Sequence, residues 1–353
     1  MRVIAFKERL YYLDSLRAIA ALMVVFSHFV ERTPLHDLLV FRYFTPGQFG
    51  VVVFFILSGF VIPYSLKEGP AAVVRFSISR FFRLYPAYWV SVGLAAIAIV
   101  YFQKAPLEPK LVMANLTMLQ LGMGFQDMFG VYWTLLIELV FYGCCAFLAL
   151  FGLLKHTGIR FVLAMTFLGA ALTGAALIYF KGMNLRVGIF CALSLMFFGS
   201  VWRDAILGGV RSARLYSFVW IVCFASIIPL IALWAYDVDR GQGQSAYNYT
   251  GSYWLGVLFF LLFSGIFKIQ SRVLVYLGAI SYSLYLVHPF FLELCAVATD
   301  MASGFNVVVF LLYLSATIFL SVLIHHGVER PGIKYGQKVA AAFERRLAPQ
   351  TGG

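Results

Sequence analysis

Two ionisable residues lie in the first apolar run of the chain, at a spacing that puts them on one side of a helix. Arg17 and His28 have ten residues between them, a separation of three turns plus about 20°. They would lie roughly 16 Å apart along the axis, with Asp14 within about 40° of the same stripe. A histidine here can accept and return a proton, and an arginine can hold an anion. The alternative is that Arg17 reaches the headgroups and His28 is an interfacial residue.

Two further ionisable residues interrupt later apolar runs. Glu138 follows Trp133-Thr134-Leu135, and His288 directly precedes Pro289. If each run is a membrane helix, counting about 1.5 Å per residue puts His28, Glu138 and His288 within roughly 10 Å of the midplane, on its outer side. Charged groups at this depth are costly and usually functional, so the three predict proton-transfer chemistry. The alternative is a polar cluster that only locks the helices together.

A pair of arginines lies at the start of another apolar run. Arg80 and Arg83 share one helix face at i,i+3 spacing. A guanidinium group can bind phosphate through two parallel hydrogen bonds, so the pair is a candidate phosphate site. An ordinary basic anchor at the cytoplasmic surface would show the same spacing.

A third pattern concerns the backbone of the second apolar run. The stretch Gly50–Phe60 contains Ser58 and Gly59, and Pro63 follows. Such a sequence can open a helix and free backbone groups at depth, or it can produce only a packing kink. The residues alone favour neither.

The composition identifies the elements that must position these residues. Of 353 residues, 62% are apolar and 12% are charged, against roughly 25% charged in an ordinary soluble domain. A soluble fold of this size could not cover so much apolar surface, whereas a bilayer solvates it. The net charge of +12 would suggest a nucleic-acid partner in a soluble protein. Because the basic residues lie in short segments between apolar runs, membrane orientation explains them instead, and we expect no nucleic-acid partner.

We therefore predict an all-α, polytopic bundle of about ten transmembrane helices surrounded by membrane lipids. Segment 111–128 is apolar but carries Asn115, Gln120 and Gln126, so we place it at the outer interface or as a re-entrant piece. The predicted helices are 11–31, 47–65, 84–102, 130–152, 160–179, 185–202, 215–236, 253–268, 273–295 and 305–327.

The distribution of lysine and arginine predicts the orientation of the bundle. With the N-terminus inside, 19 of these residues fall in inner segments and 7 in outer ones, and Arg17 in the membrane completes the 27. Cytoplasmic segments carry this excess in membrane proteins. Both termini are therefore predicted to be cytoplasmic.

The chain divides into a membrane domain, residues 1–330, and a short basic cytoplasmic tail, residues 331–353, which is too short to bury a core. The first apolar run is long enough to span, so no cleavable signal is evident. Neither a disulfide framework nor a metal site is expected. The five cysteines all fall in apolar runs without C-x-x-C spacing: Cys144, Cys145, Cys191, Cys223 and Cys295.

Taken in order, these motifs resemble the acyltransferase 3 family of membrane acyltransferases, which includes bacterial O-antigen and exopolysaccharide O-acetylases. The resemblance covers nearly the whole chain. Members commonly carry serine where this chain has Thr134, a change that keeps the hydroxyl. The matching motifs are Arg17 with His28, Gly50–Phe60, Arg80 with Arg83, Trp133-Thr134-Leu135 followed by Glu138, and the run from Ile280 to His288.

The resemblance implies transfer of an acyl group, usually acetyl, from cytoplasmic acetyl-CoA to a hydroxyl on an outward-facing acceptor, often a sugar. A lipid-linked glycan or polysaccharide is the expected acceptor, and the bacterial cytoplasmic (inner) membrane is the expected location. By that likeness Arg17 and His28 are the essential pair, and Arg80 and Arg83 lie near the CoA phosphates. Some relatives carry an additional extracytoplasmic esterase-like domain, and we expect none in this chain.

From the residues and the resemblance together we predict individual roles. His28 is the general base or carries a transient acyl group. Glu138 orients His28 or binds the sugar, and Arg17 positions the donor or stabilises the developing oxyanion. Four further residues are predicted to contact the substrate: His288, Tyr285, Ser58 and Trp133.

Two other classes of membrane protein remain as alternatives. A proton-coupled transporter or lipid-linked sugar flippase also keeps Arg, Glu and His at depth, although such proteins often have inverted repeats and paired broken helices. A non-catalytic membrane scaffold would not need the titratable residues. Cleavage of the acetyl-CoA thioester distinguishes the enzyme from both.

The first prediction concerns orientation. A single cysteine at Lys67 should be protected from an impermeant thiol reagent added outside, and one at Gln244 should react, as the basic-residue bias requires. Labelling of both sites in intact cells, against permeabilised cells as the control, measures this. External labelling at Lys67 would contradict the predicted topology.

Overall fold

The computed structural model describes residues 10–236 and 245–347. Residues 237–244, which include the Gln244 labelling site, lie outside the described residues. Within them the chain is a bundle of α-helices: α1 Tyr11–Val30, α2 Pro46–Ser65, α3 Pro70–Ile97, α4 Pro109–Leu116, α5 Trp133–Leu150, α6 Thr157–Lys181, α7 Gly188–Ile206, α8 Arg211–Tyr236, α9 Ala246–Gly265, α10 Arg272–Ala279, α11 Ser281–Ala298, α12 Val307–Ile324 and α13 Arg330–Leu347.

The polytopic helical bundle predicted from composition is confirmed. Among the described residues, nine helical segments are long and apolar enough to cross a membrane. Helix α9 is 20 residues long and packs beside two of these segments, α2 and α8, although its first turns are rich in Tyr, Asn and Ser. It therefore occupies the place of a tenth membrane helix.

Four helices differ most from their predicted bounds, and one of them, α9, begins seven residues before the predicted start at 253. Helix α3 begins 14 residues before the predicted start at 84, because Pro70 at its first turn suits a helix start and the following polar residues continue the helix. The predicted helix 273–295 is broken at Ile280 into α10 and α11. Helix α12, predicted as 305–327, continues through a π-helical turn, His325–Glu329, into α13, which packs on α3.

The segment predicted at the interface or as a re-entrant piece does not form a spanning helix. After α4 it runs irregularly to Tyr132, with Asn115 fully buried. The Asn115 side chain donates to the carbonyls of Leu111 and Gln126, at 2.9 and 3.0 Å. Hydroxyl and indole groups of α3 donate to three further carbonyls of the segment. Irregular backbone is tolerated in a membrane protein when protein groups satisfy it in this way.

Close helix crossings hold the bundle together at glycines. A Cβ added to Gly59 would lie 1.7 Å from the Met196 carbonyl oxygen of α7, and one added to Gly278 of α10 would lie 1.9 Å from the Asp14 carbonyl oxygen of α1. Helix α2 is continuous through Ser58 and Pro63. The Ser-Gly pattern therefore produces close packing of α2 on α7, which is typical of membrane helix pairs.

The second prediction tests this crossing. Gly59→Ala should destabilise the protein by about 1–3 kcal/mol, because the α7 backbone must move to admit the methyl group. Thermal unfolding in detergent measures the change. Gly93→Ala is the matched control, since no atom lies within 4 Å of its added Cβ. Equal stability of the two variants would contradict the close approach.

Candidate functional site

A cavity of about 840 Å³ lies among the helix ends on the side of the bundle that holds the start of α1. Parts of α1, α2, α3, α5, α7, α10, α11 and α13 form its walls. Leu13, Val51, Phe54 and Phe55 make part of the wall apolar. A cavity with an apolar wall and a few convergent polar groups is the usual form of a small-molecule site.

Five arginines of the described residues line this cavity: Arg17, Arg80, Arg83, Arg203 and Arg330. Only two carboxylates, Asp14 and Glu138, line it with them. The cavity therefore has an excess of positive charge, which suits an anionic ligand.

The three arginines predicted from the sequence all face this cavity, and each is held in a different way. Arg17 pairs with Asp14, with Nη1 to Oδ1 at 2.9 Å. Arg80 donates to the Ser65 hydroxyl at 2.8 Å, and its guanidinium lies 5.1 Å from the centre of the Phe76 ring. Its buried Nε has no hydrogen-bond partner, so the group keeps donor capacity for a ligand.

Arg83 lies next to a buried carboxylate that the sequence analysis did not single out. Its Nη1 is 4.0 Å from Glu329 Oε1. Glu329 is 1% exposed, and its other oxygen accepts from Ser283 at 2.9 Å and faces His325 Nδ1 at 3.0 Å. The π-helical turn thus aims one carboxylate at α3 and α11 together.

Glu138 lies with the arginines and not with the histidines. Its Oε1 accepts a hydrogen bond from Tyr142 at 2.5 Å, one turn along α5, and it lines the same cavity as Arg17 of α1. Among the hydrogen bonds of the described residues, none joins Glu138 to His28 or His288. The Glu138 carboxylate is therefore placed to offset part of the positive charge of the arginines in the cavity.

His28 and His288 are brought together. Nδ1 of His28 lies 2.8 Å from Nε2 of His288, and the two rings are nearly parallel, 13° apart. His288 is fully buried, whereas His28 is partly exposed. Ten residues of chain separate Arg17 from His28, so the pair lies roughly 16 Å along α1 from Arg17.

Two aromatic rings of the cavity wall connect it to the histidine pair. Tyr285 lines the cavity, and its ring centre is 5.8 Å from that of His288. Phe54, also in the cavity wall, packs edge-to-face against Tyr285 at 6.1 Å. Neither histidine is part of the cavity wall. A ligand that reaches from the arginines to His28 along this wall would contact these two rings.

The remaining predicted substrate contacts divide between the cavity and its surroundings. Ser58 lines the cavity. The Tyr285 hydroxyl faces the cavity but is already bonded to the Thr134 hydroxyl at 2.9 Å and the Val131 carbonyl at 3.1 Å. Trp133 is not in the cavity wall, and its ring packs against Phe55 at 6.2 Å.

Several cavity residues were not identified from the sequence as site residues. Arg203 and Arg330 end apolar runs and were assigned to topology, a role that their positions fit equally well. Arg203 donates to the Phe60 carbonyl at 3.0 Å and stacks on the Tyr64 ring at 4.2 Å. His325 and His326, the first residues of the π-helical turn after α12, also line the cavity. Two adjacent histidines in the sequence were the signal that could have identified these two residues.

A buried polar cluster next to Arg203 fixes its helix, α7, against two neighbouring helices. Asp204, the next residue, accepts hydrogen bonds from Tyr64, Thr157 and Arg160. These residues come from α2, α6 and α7, and both Arg160 and Asp204 are buried. Because a buried ion pair is costly to break, the cluster locks the three helices and with them the Tyr64 ring under Arg203.

No group of three or more His, Cys, Asp or Glu side chains in residues 10–236 and 245–347 is arranged to hold a metal ion. The five cysteines are free thiols.

Comparison with known proteins agrees with this architecture. Residues 10–326 match the acyltransferase domain of the acyltransferase 3 family. A curated relative, "Protein 2 in picA locus" of Rhizobium radiobacter, is 36% identical over 96 residues, which are 25% of this chain and 45% of the relative. The match thus spans less than half of that protein's length. No solved structure matches significantly. Since the family match covers nearly the whole chain, this protein belongs to the acyltransferase 3 family.

Proposed function

We propose that this protein transfers an acetyl group from acetyl-CoA to a hydroxyl of a carbohydrate acceptor, a lipid-linked glycan or polysaccharide, in the bacterial inner membrane. The observation that carries the proposal is the arrangement along α1, where Arg17 lies in a cationic cavity and His28 forms a histidine pair further along the same helix. This arrangement suits a long donor with a charged head and a reactive end.

The cavity suits the charged head of the donor. CoA carries several phosphates, and guanidinium groups bind phosphate oxygens with charge-assisted hydrogen bonds. Arg80 and Arg83 come from α3, Arg203 from α7 and Arg330 from α13, so the cations surround the cavity instead of lying on one face. All of these arginines lie on the side of the bundle that the basic-residue bias predicts to be cytoplasmic. Acetyl-CoA is found in the cytoplasm.

The distance along α1 assigns Arg17 and His28 to different parts of the donor. Roughly 16 Å of helix separates them, so the Arg17 guanidinium does not reach a thioester held at the His28 ring. Of the two roles predicted for Arg17, we therefore favour holding the donor over stabilising the oxyanion. The apolar wall around Phe54 and Phe55 suits the uncharged pantetheine arm.

His28 is proposed as the general base. Its ring takes the proton of the acceptor hydroxyl as that oxygen attacks the thioester carbonyl carbon. The C–S bond then breaks, the acetyl group remains on the acceptor as an ester, and the leaving sulfur takes the proton from the His28 ring. The products are the acetylated acceptor and CoA thiol, and His28 returns to its neutral form.

Thioester cleavage tests the whole proposal. Purified protein with acetyl-CoA and a glycan acceptor should release free thiol in amounts equal to the ester formed, whereas a transporter or flippase would release none. Mass spectrometry of envelope polysaccharides from a deletion strain identifies the acceptor as the glycan that loses an acetyl group.

The third prediction concerns the donor site. Arg80→Ala and Arg83→Ala should each raise the KM for acetyl-CoA roughly 10- to 100-fold with a smaller change in kcat, because each removes a charged hydrogen bond remote from the reacting atoms. Arg75→Ala is the matched control, since Arg75 lies on the same helix but pairs with Glu344 outside the cavity. Unchanged KM values in both variants would show that Arg80 and Arg83 act only as topological anchors.

The fourth prediction concerns His28. His28→Ala should lower kcat by about 10²–10⁴-fold, the usual contribution of a general base, while acetyl-CoA binding and thermal stability stay near those of the wild type. His36→Ala, in the exposed segment after α1, controls for removing a histidine. Specific activity and unfolding temperature are measured on the same preparation. Near-normal specific activity would rule out His28 as the base.

A further inference from the structure

His288 has a burial and a set of partners that do not suit contact with a substrate. Its side chain is fully buried, and it is absent from the cavity wall. Its Nε2 faces His28 Nδ1 at 2.8 Å, and its Nδ1 faces the Leu284 carbonyl at 3.3 Å. Both ring nitrogens are therefore occupied by protein groups, so an acceptor sugar has no nitrogen left to bind.

The carbonyl decides which nitrogen of His288 carries the proton. A carbonyl oxygen only accepts hydrogen bonds, so the nitrogen that faces Leu284 must be the N–H donor. In a neutral ring the other nitrogen, Nε2, is then an acceptor. The short contact to His28 consequently requires that His28 Nδ1 carry a proton and donate it. Neutral His28 is left with an unprotonated Nε2.

The burial of His288 reinforces this assignment. The opposite tautomer of His288 would direct the lone pair of Nδ1 at the Leu284 carbonyl, and it would leave a buried acceptor without a donor.

We propose that His288 is a positioning residue that holds His28 in the tautomer with its proton on Nδ1, so that Nε2 of His28 is the base. This inference rests on the proposed acetyl transfer. When Nε2 takes the proton of the acceptor hydroxyl, the resulting imidazolium keeps its Nδ1–H bond to His288, and the ring orientation does not change. A neutral imidazole in this role avoids placing a further charge at membrane depth.

Two substitutions at His288 separate this role from simple packing. His288→Leu removes the acceptor and should lower kcat roughly 10²-fold, with the KM for acetyl-CoA unchanged because the arginine cavity is intact. His288→Gln can place its side-chain oxygen near the former Nε2 and should recover at least tenfold of that loss. Equal kcat in the wild type and His288→Leu, or equal losses in both variants at equal thermal stability, would overturn the proposal.

A spectroscopic measurement tests the tautomer without any turnover. The chain has 6 histidines, few enough to assign in ¹⁵N-histidine-labelled protein by single substitutions. His28 should show a protonated Nδ1 and an unprotonated Nε2, with a scalar coupling across the hydrogen bond to His288 Nε2. A proton on Nε2 of neutral His28 would overturn the inference. If the wild type fails to cleave acetyl-CoA, the proposed function fails, and this spectrum still decides the tautomers.

Discussion

The cost of placing polar and charged groups at membrane depth is the constraint on which the structure depends. Water is absent there, so each such group needs a partner within the protein. Arg17 is paired with Asp14, and Arg160 with Asp204. The imidazoles of His28 and His288 are paired with each other. The bundle therefore places its charges where they bind one another or face a cavity.

Close helix packing makes these pairs available to the site. Helix α2 approaches α7, and α10 approaches α1, at glycines with no side chain between the backbones. Polar groups from these four helices therefore reach the same space. The Asp204 cluster then fixes α2, α6 and α7 relative to one another. The position of Arg203 in the cavity follows from that cluster, and the position of Arg83 follows in the same way from buried Glu329.

Helix α1 joins two chemically different regions. Its first turns contribute Arg17 to the cationic cavity, and its last turns contribute His28 to the histidine pair. Tyr285 connects the two regions, because it lines the cavity and its ring contacts that of His288. A change in the position of this ring would therefore alter the cavity wall and the surroundings of the histidine pair together.

The sequence by itself determined that the protein is a polytopic helical bundle and that Arg17 and His28 share a helix face, because length, hydropathy and helical periodicity are local properties of the chain. It also identified Arg80 and Arg83 as a candidate phosphate-binding pair, since i,i+3 spacing is local. Tertiary structure decided which residues meet. His28 met His288, 260 residues away, whereas Glu138, predicted at the same depth, lies with the arginines. The roles of Arg203, His325, His326 and Glu329 were also decided by the fold. Depth along a helix can be counted from sequence, but the direction that a side chain faces depends on which helices pack beside it, and that follows from contacts distant in the chain.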